Sequence, residues 1–425
     1  MGTVSDKPAG GEQHFPTSTP LLDLLSAVPQ NPLDRLGTGD YFFISSTVIL
    51  AFLELTLIRS LLDGVAGQSA VAYWVAFLTV PVVALFLSVA LHSAGHALVG
   101  KAIGIETVGI RIGPFRLRTR GARESLTEQT VFMGRAMLRP RRTDNLRRRL
   151  MILAISGPLT SLVVPLVLES AFYIAPAGTG QRYLLAVFTV HVFSALSALY
   201  GISSLLPDLD GAGNFSDGAR IFMLVRNGAR AVRWCAIVRL QSALDSGLPA
   251  QEWDEKTIAQ ALGEDDESQD AVVANWLAYL WAAGRHDLTV ATRYLEEALK
   301  GSAFCPDSLR DRFFLEAAVF QAWFRHNSSR GEFWAAQIGH PGWLPPLQRR
   351  RLEIALRWAG GTPFNAWEML NSYLSSVREL AQDPVRDLVE REAMEWKAQM
   401  ESRMLAGAWA MMHSSPQEFE VRSSV

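Results

Sequence analysis

The chain has 425 residues, 49% hydrophobic and 19% charged, with a formal net charge of -2. That length admits two or three domains, and the balanced charge leaves no electrostatic footprint for nucleic acid, which excludes that class of partner. Two cysteines, Cys235 and Cys305, exclude a disulfide framework and a cysteine-ligated metal site; both are expected as small buried hydrophobes in a reducing compartment.

Residues 1–40 are rich in Pro, Gly, Ser and Thr. They show no basic stretch followed by a short apolar run, so they read as a disordered cytoplasmic tail and not as a signal peptide. A membrane span needs about 20 apolar residues. Four segments qualify, at 41–62, 70–100, 150–174 and 183–206, and together they predict a four-span membrane domain over residues 41–222. The connection from Lys101 to Arg149 is dense in arginine, with Arg139, Arg141, Arg142, Arg147, Arg148 and Arg149 just before the third span. The other two connections are short and nearly uncharged. Basic loops stay cytoplasmic, so this one and both termini should lie on the cytoplasmic side.

Two histidines, His92 and His96, close the second span. Four apart on a helix, they project from one face and suit two imidazoles on one zinc ion. If that span enters near Ala72, His92 stands about 30 Å further along, just inside the cytoplasmic face. Glu54 and Glu169 also fall within spans; each is a functional candidate, or else a protonated or paired interior carboxylate. Three aspartates, Asp208, Asp210 and Asp217, follow the fourth span at the depth of the histidines. Any of them can complete a His/His/Asp set with a fourth position open. The plain alternative is a pair of hydrogen-bonded interior imidazoles.

Here the chain resembles the site-2 protease family of membrane-embedded zinc metalloproteases, over about residues 70–225. His92-Ser93-Ala94-Gly95-His96-Ala97-Leu98 is similar to the family's H-E-x-G-H-A-L helix. Gly109-Ile110-Arg111-Ile112-Gly113-Pro114-Phe115 is similar to the β-rich segment that follows, which predicts a small β insertion near 105–120. Ser156-Gly157-Pro158-Leu159-Thr160-Ser161 resembles its A-G-P-x-x-N helix start, and Ser204-Leu205-Leu206-Pro207 with Ser216-Asp217-Gly218-Ala219-Arg220 its N-x-x-P…D-G motif. The resemblance implies a Zn2+ cofactor on His92, His96 and Asp217, with Asp210 the rival third ligand. It also implies a multi-pass place in a bacterial plasma membrane, in contact with the lipid bilayer, and action on transmembrane segments of anchored proteins.

The departures fall on catalytic positions. The family glutamate is Ser93, and its two asparagines, which position substrate backbone, are Ser161 and Ser204. A serine hydroxyl neither accepts a proton near neutral pH nor reaches far enough to pass one on, and acid–base catalysis of that kind is worth about 10²–10⁴-fold. Two accounts follow. Either the chain is a zinc metalloprotease with a substitute acid such as Asp208 or Asp210, or it is a pseudoprotease that captures a membrane protein without cutting it. An engineered loss of the glutamate alone would have left both asparagines in place. A transporter is disfavoured, because the spans show no inverted repeat and few polar residues.

Residues 223–270 read as a connector, with Glu264-Asp265-Asp266-Glu267 a solvated run. Residues 271–425 read as paired amphipathic helices: 274–285 with 288–300, 307–325 with 331–338, 347–359 with 365–377, and a final helix over 384–411. Gly284 between the first pair, with Ala291 and Ala298, resembles a tetratricopeptide repeat. The tryptophans there, including Trp276, Trp281, Trp323, Trp334, Trp358 and Trp367, sit at core spacing. The expected fold is mainly α: a multi-span helical membrane domain with a small β insertion, then a soluble, repeat-like helical domain offering a concave surface to a cytoplasmic protein or peptide.

Overall fold

The computed structural model describes residues 41–49, 70–112, 115–118, 135–174, 181–208, 215–263, 268–305, 307–380, 382 and 384–413. It is mainly helical. Residues 41–49 form a helix; the remainder of the first expected span, with Glu54, lies outside the described residues, as do Asp210 and residues 1–40. Three long helices follow: α1 (Ala70–Ala102), α2 (Leu146–Ile174) and α3 (Gln181–Leu205). Within them Leu78–Ala102, Leu146–Ile174 and Ala186–Leu205 are long and apolar enough to cross a membrane. Their outward faces expose Leu78, Val82, Leu87, Leu159, Leu166 and Val167, an apolar surface that a water-facing bundle rarely presents.

The three helices pack against one another, and Ala84 of α1 meets Phe188, Val192 and Leu196 of α3 in a buried cluster. Small residues allow backbones to approach closely in such a bundle. A Cβ at Gly95 would stand 2.5 Å from Thr160 Oγ1 and 2.8 Å from the Ser156 carbonyl, so glycine there seats α1 against α2.

Between α1 and α2 lies an antiparallel sheet of order β2-β1-β3, made of β1 (Ile105–Ile112), β2 (Phe115–Arg118) and β3 (Arg135–Pro140). The expected insertion near 105–120 covers β1 and β2. It stops short of β3, which is short, bounded by Arg and Pro, and pairs with β1 only through long-range register such as Ile105↔Pro140. Ile105 is buried with Leu146, Leu150 and Leu153 of α2 and with Met223 and Leu224 of α4 (Asp217–Arg226).

The chain continues through α5 (Ala229–Asp245), α6 (Glu255–Leu262), α7 (Gln269–Gly284), α8 (Leu288–Gly301), α9 (Asp307–Val319), α10 (Ser328–Ala336), α11 (Pro346–Ala359), α12 (Pro363–Arg378) and α13 (Pro384–His413). The expected pairs match α7 with α8, α9 with α10 and α11 with α12. Side chains of Asp254, Ser268, Asp287 and Asn327 cap α6, α7, α8 and α10 by accepting from first-turn amides. Residues 223–270, read as a connector, contain α5 and α6, and their Ala236, Leu240, Trp253 and Ile258 join the same core as Trp276, Trp323, Trp334 and Trp396. Trp323 and Trp396 stack, with centroids 4.0 Å apart and planes at 11°.

Both cysteines are buried and free. Burial pushes the Cys305 thiol up to about 12 from an ordinary 9.0, against a smaller pull from Arg310. Burial, aided by the charge of Glu316, holds the Tyr279 phenol well above its ordinary 10.0. Both groups keep their protons in the fold at pH values where the unfolded chain has lost them. Their stabilisation is therefore full below about pH 9 and drains away as pH rises, by up to about 1.4 kcal/mol per pH unit for each group. Thermal melts between pH 8 and 11 should show the midpoint falling across that window, and less steeply in Cys305→Ala. A midpoint independent of pH contradicts this assignment.

Candidate metal centre

The site is built where α1, α2 and α4 meet. His92 is 5% exposed, and both histidines lie on the face of α1 turned to α2. The N-terminus of α4 brings in Asp217. Ser216 caps that helix: its Oγ accepts from the Ala219 amide at 3.1 Å and donates to the Leu206 carbonyl at 2.5 Å. The same residue ties the start of the helix to Asp208, through the Ser216 amide to the Asp208 carbonyl at 2.9 Å and the Asp208 amide to Ser216 Oγ at 3.1 Å. Gly218 is required next to Asp217, because a Cβ there would collide with the Leu205 carbonyl at the end of α3.

His92 Nε2 lies 3.0 Å from Asp217 Oδ2 and 3.2 Å from His96 Nε2, and His96 Nε2 lies 3.4 Å from Asp217 Oδ2. Donors on a tetrahedral zinc ion with bonds of about 2.0–2.1 Å are about 3.3 Å apart. The three donor atoms are therefore spaced close to three corners of a zinc tetrahedron. Among the described residues no other His, Cys, Asp or Glu joins them.

The outer contacts suit the same use. His96 Nδ1 stands 2.8 Å from the Leu153 carbonyl, which can only accept, so Nδ1 carries a proton and Nε2 is the atom turned to the cluster. His92 Nδ1 shares a hydrogen bond with Ser161 Oγ at 3.1 Å, and the Ser161 carbonyl accepts from Ser197 Oγ at 3.1 Å. Tyr200 packs edge-on against His92, with centroids 5.0 Å apart, and Phe43 packs on Tyr200 in turn. Burial raises the Asp217 carboxyl, but the hydrogen bonds and charge of the two imidazoles outweigh it and hold the group below the usual carboxylate range. It is thus an ionised donor.

Room for an ion comes from Gly157. A Cβ there would stand 2.6 Å from both His92 Nε2 and His96 Cε1, and closer still to His96 Nε2. The residues present fit a zinc ion, in donor set, spacing and space.

Ser161, expected at a substrate-positioning site, stands behind the His92 ring, on the Nδ1 side away from the cluster. Ser93 is 1% exposed and its hydroxyl has no hydrogen-bond partner among the described residues. Ser204 Oγ donates to the Gly201 carbonyl of its own helix at 2.9 Å and takes no part in the cluster. Asp208 contributes backbone bonds at the loop base and is not one of the three clustered donors. Glu169 lies 3.4 Å from His191 Nδ1 on α3, apart from the three donors. Sequence reasoning missed the Leu153 carbonyl, which no side-chain pattern reveals, and Gly157, whose signal was its place just before Pro158. No family model, no curated protein and no solved structure matches this chain.

Proposed function

We propose that this chain is a multi-pass membrane protein with cytoplasmic termini, in a bacterial plasma membrane, that holds zinc between His92, His96 and Asp217 in the manner of the site-2 protease family. It retains a transmembrane segment of an anchored client without cutting it. The soluble, repeat-like helical region from α5 to α13 faces the cytoplasm and carries the surface for a protein or peptide partner. The carrying observation is the convergence of three donors at zinc spacing, with Ser93 where the family carries its glutamate and, among the described residues, no further carboxylate in the cluster. Zinc held there would supply Lewis-acid polarisation of a carbonyl. The chain's own residues orient the imidazoles and keep Asp217 ionised, but Ser93 moves no proton. Retention of the centre without its base favours capture over turnover.

The test restores Ser93→Glu and compares both chains on a membrane-anchored candidate substrate. The larger side chain enters a buried position, so overpacking of about 1–3 kcal/mol is expected and the fold must be checked by helix content. Zinc in both chains, no cleavage by the natural one and measurable cleavage by Ser93→Glu support the proposal. Equal cleavage by both overturns it in favour of a zinc metalloprotease with a substitute acid.

A further inference from the structure

We infer that Arg220 is a positioning residue through which the cytoplasmic helices set the zinc affinity of the membrane centre; this rests on the zinc-centre reading above. Arg220 lies three residues after Asp217 on α4, one turn along the same short helix. Its guanidinium makes a two-pronged ion pair with Asp270, Nη2 to Oδ1 at 2.9 Å and Nη1 to Oδ2, with side chains only 14% and 15% exposed. The group is also held between two rings, its Cζ 4.7 Å from the Phe215 centroid and 4.3 Å from that of Trp234. Paired charges this well enclosed and this directional hold geometry more than isolated surface pairs do.

Asp270 belongs to the first turn of α7, and α7 is set in the C-terminal core, with Val273, Ala274, Leu277 and Tyr279 all buried. At its other end α4 is fixed by Arg147 of α2, which donates from Nε to the Leu224 carbonyl at 2.8 Å. The third donor therefore rides on a ten-residue helix with two handles. One belongs to the membrane bundle, the other to the cytoplasmic helices. Loss of the second handle frees α4 to rock and draws Asp217 out of the tetrahedron, while His92 and His96 stay fixed on α1.

Coupling of this kind is reciprocal, so zinc must also stabilise the start of α7. The experiment titrates zinc into the full chain in detergent micelles and follows hydrogen exchange at residues 269–274 with and without the ion. Asp270→Asn should bind zinc about tenfold more weakly, with its helix content unchanged, and should lose the zinc-induced slowing of exchange. The reversed pair Arg220→Glu with Asp270→Arg should recover most of the affinity. Arg220→Lys, which keeps the charge but not the two-pronged geometry, should fall between. Natural affinity in Asp270→Asn overturns the coupling while leaving the zinc centre intact. Failure of the natural chain to bind zinc, or undiminished binding by His92→Ala, overturns the centre and the coupling with it.

Discussion

Gly157→Ala should empty the proposed zinc centre while leaving the fold in place. The added Cβ would point at His92 Nε2 and His96 Nε2, the two atoms that must face the ion. Neither ring can swing aside cheaply. His96 is tied through Nδ1 to Leu153, and His92 is held by Ser161 and by the edge of Tyr200. Alanine inside a helix is favoured over glycine by about 0.5–1 kcal/mol, so α2 itself gains from the change. We expect zinc affinity to fall by about 100-fold or more, the upper end for changes beside a ligand. Metal analysis of the purified chain should find about one ion in the natural protein and under about a tenth in the variant. Gly263→Ala, whose Cβ meets its nearest neighbours at an ordinary 3.5 Å, is the control and should keep its zinc.

Arg351→Met should cost about 3–5 kcal/mol, because it strands the buried Glu316 carboxylate. Arg351 Nη1 meets Glu316 Oε1 at 2.8 Å, and its Nη2 and Nε meet Glu392 Oε1 at 2.8 and 3.0 Å. The Tyr279 hydroxyl donates to Glu316 at 3.4 Å, and the guanidinium lies 5.7 Å from the Trp396 ring. One arginine thus joins α9, α11 and α13. Removing it leaves Glu316, on a residue 8% exposed, facing a core with no counter-charge. A drop of about 10 °C in the thermal midpoint is expected for a helical region of this size. Adding Glu316→Gln to Arg351→Met should recover part of the loss, since two neutral partners cost less than one orphaned charge. Strictly additive costs for the two substitutions contradict the network.

The three long apolar helices were legible because apolar length is a property of a window and not of a single residue. The C-terminal pairs were legible for a similar reason: Gly284 and the small residues Ala291 and Ala298 mark where helices turn and touch. Strand β3 was not, because its pairing with β1 crosses more than a score of residues and its own six carry no alternation. At the site, His92 and His96 declared themselves by spacing. Asp217 was favoured over Asp210 only through the resemblance, and the structure sets it against the two histidines at the tight start of α4, where Ser216 caps and Gly218 passes the Leu205 carbonyl. The role of Ser161 behind His92 depends on how α2 lies across α1, and Arg220 meets Asp270 across 50 residues of sequence. No local pattern encodes either contact.

The central claim is a zinc ion shared by His92, His96 and Asp217. X-ray absorption at the zinc edge on the full chain in micelles tests it most directly, with His92→Ala and Asp217→Ala measured beside it. The account predicts one zinc per natural chain with nitrogen and oxygen neighbours at about 2.0–2.1 Å, and little or none in either variant. A natural chain purified with no zinc after exposure to the ion, or variants that keep it with the same neighbours, would contradict it.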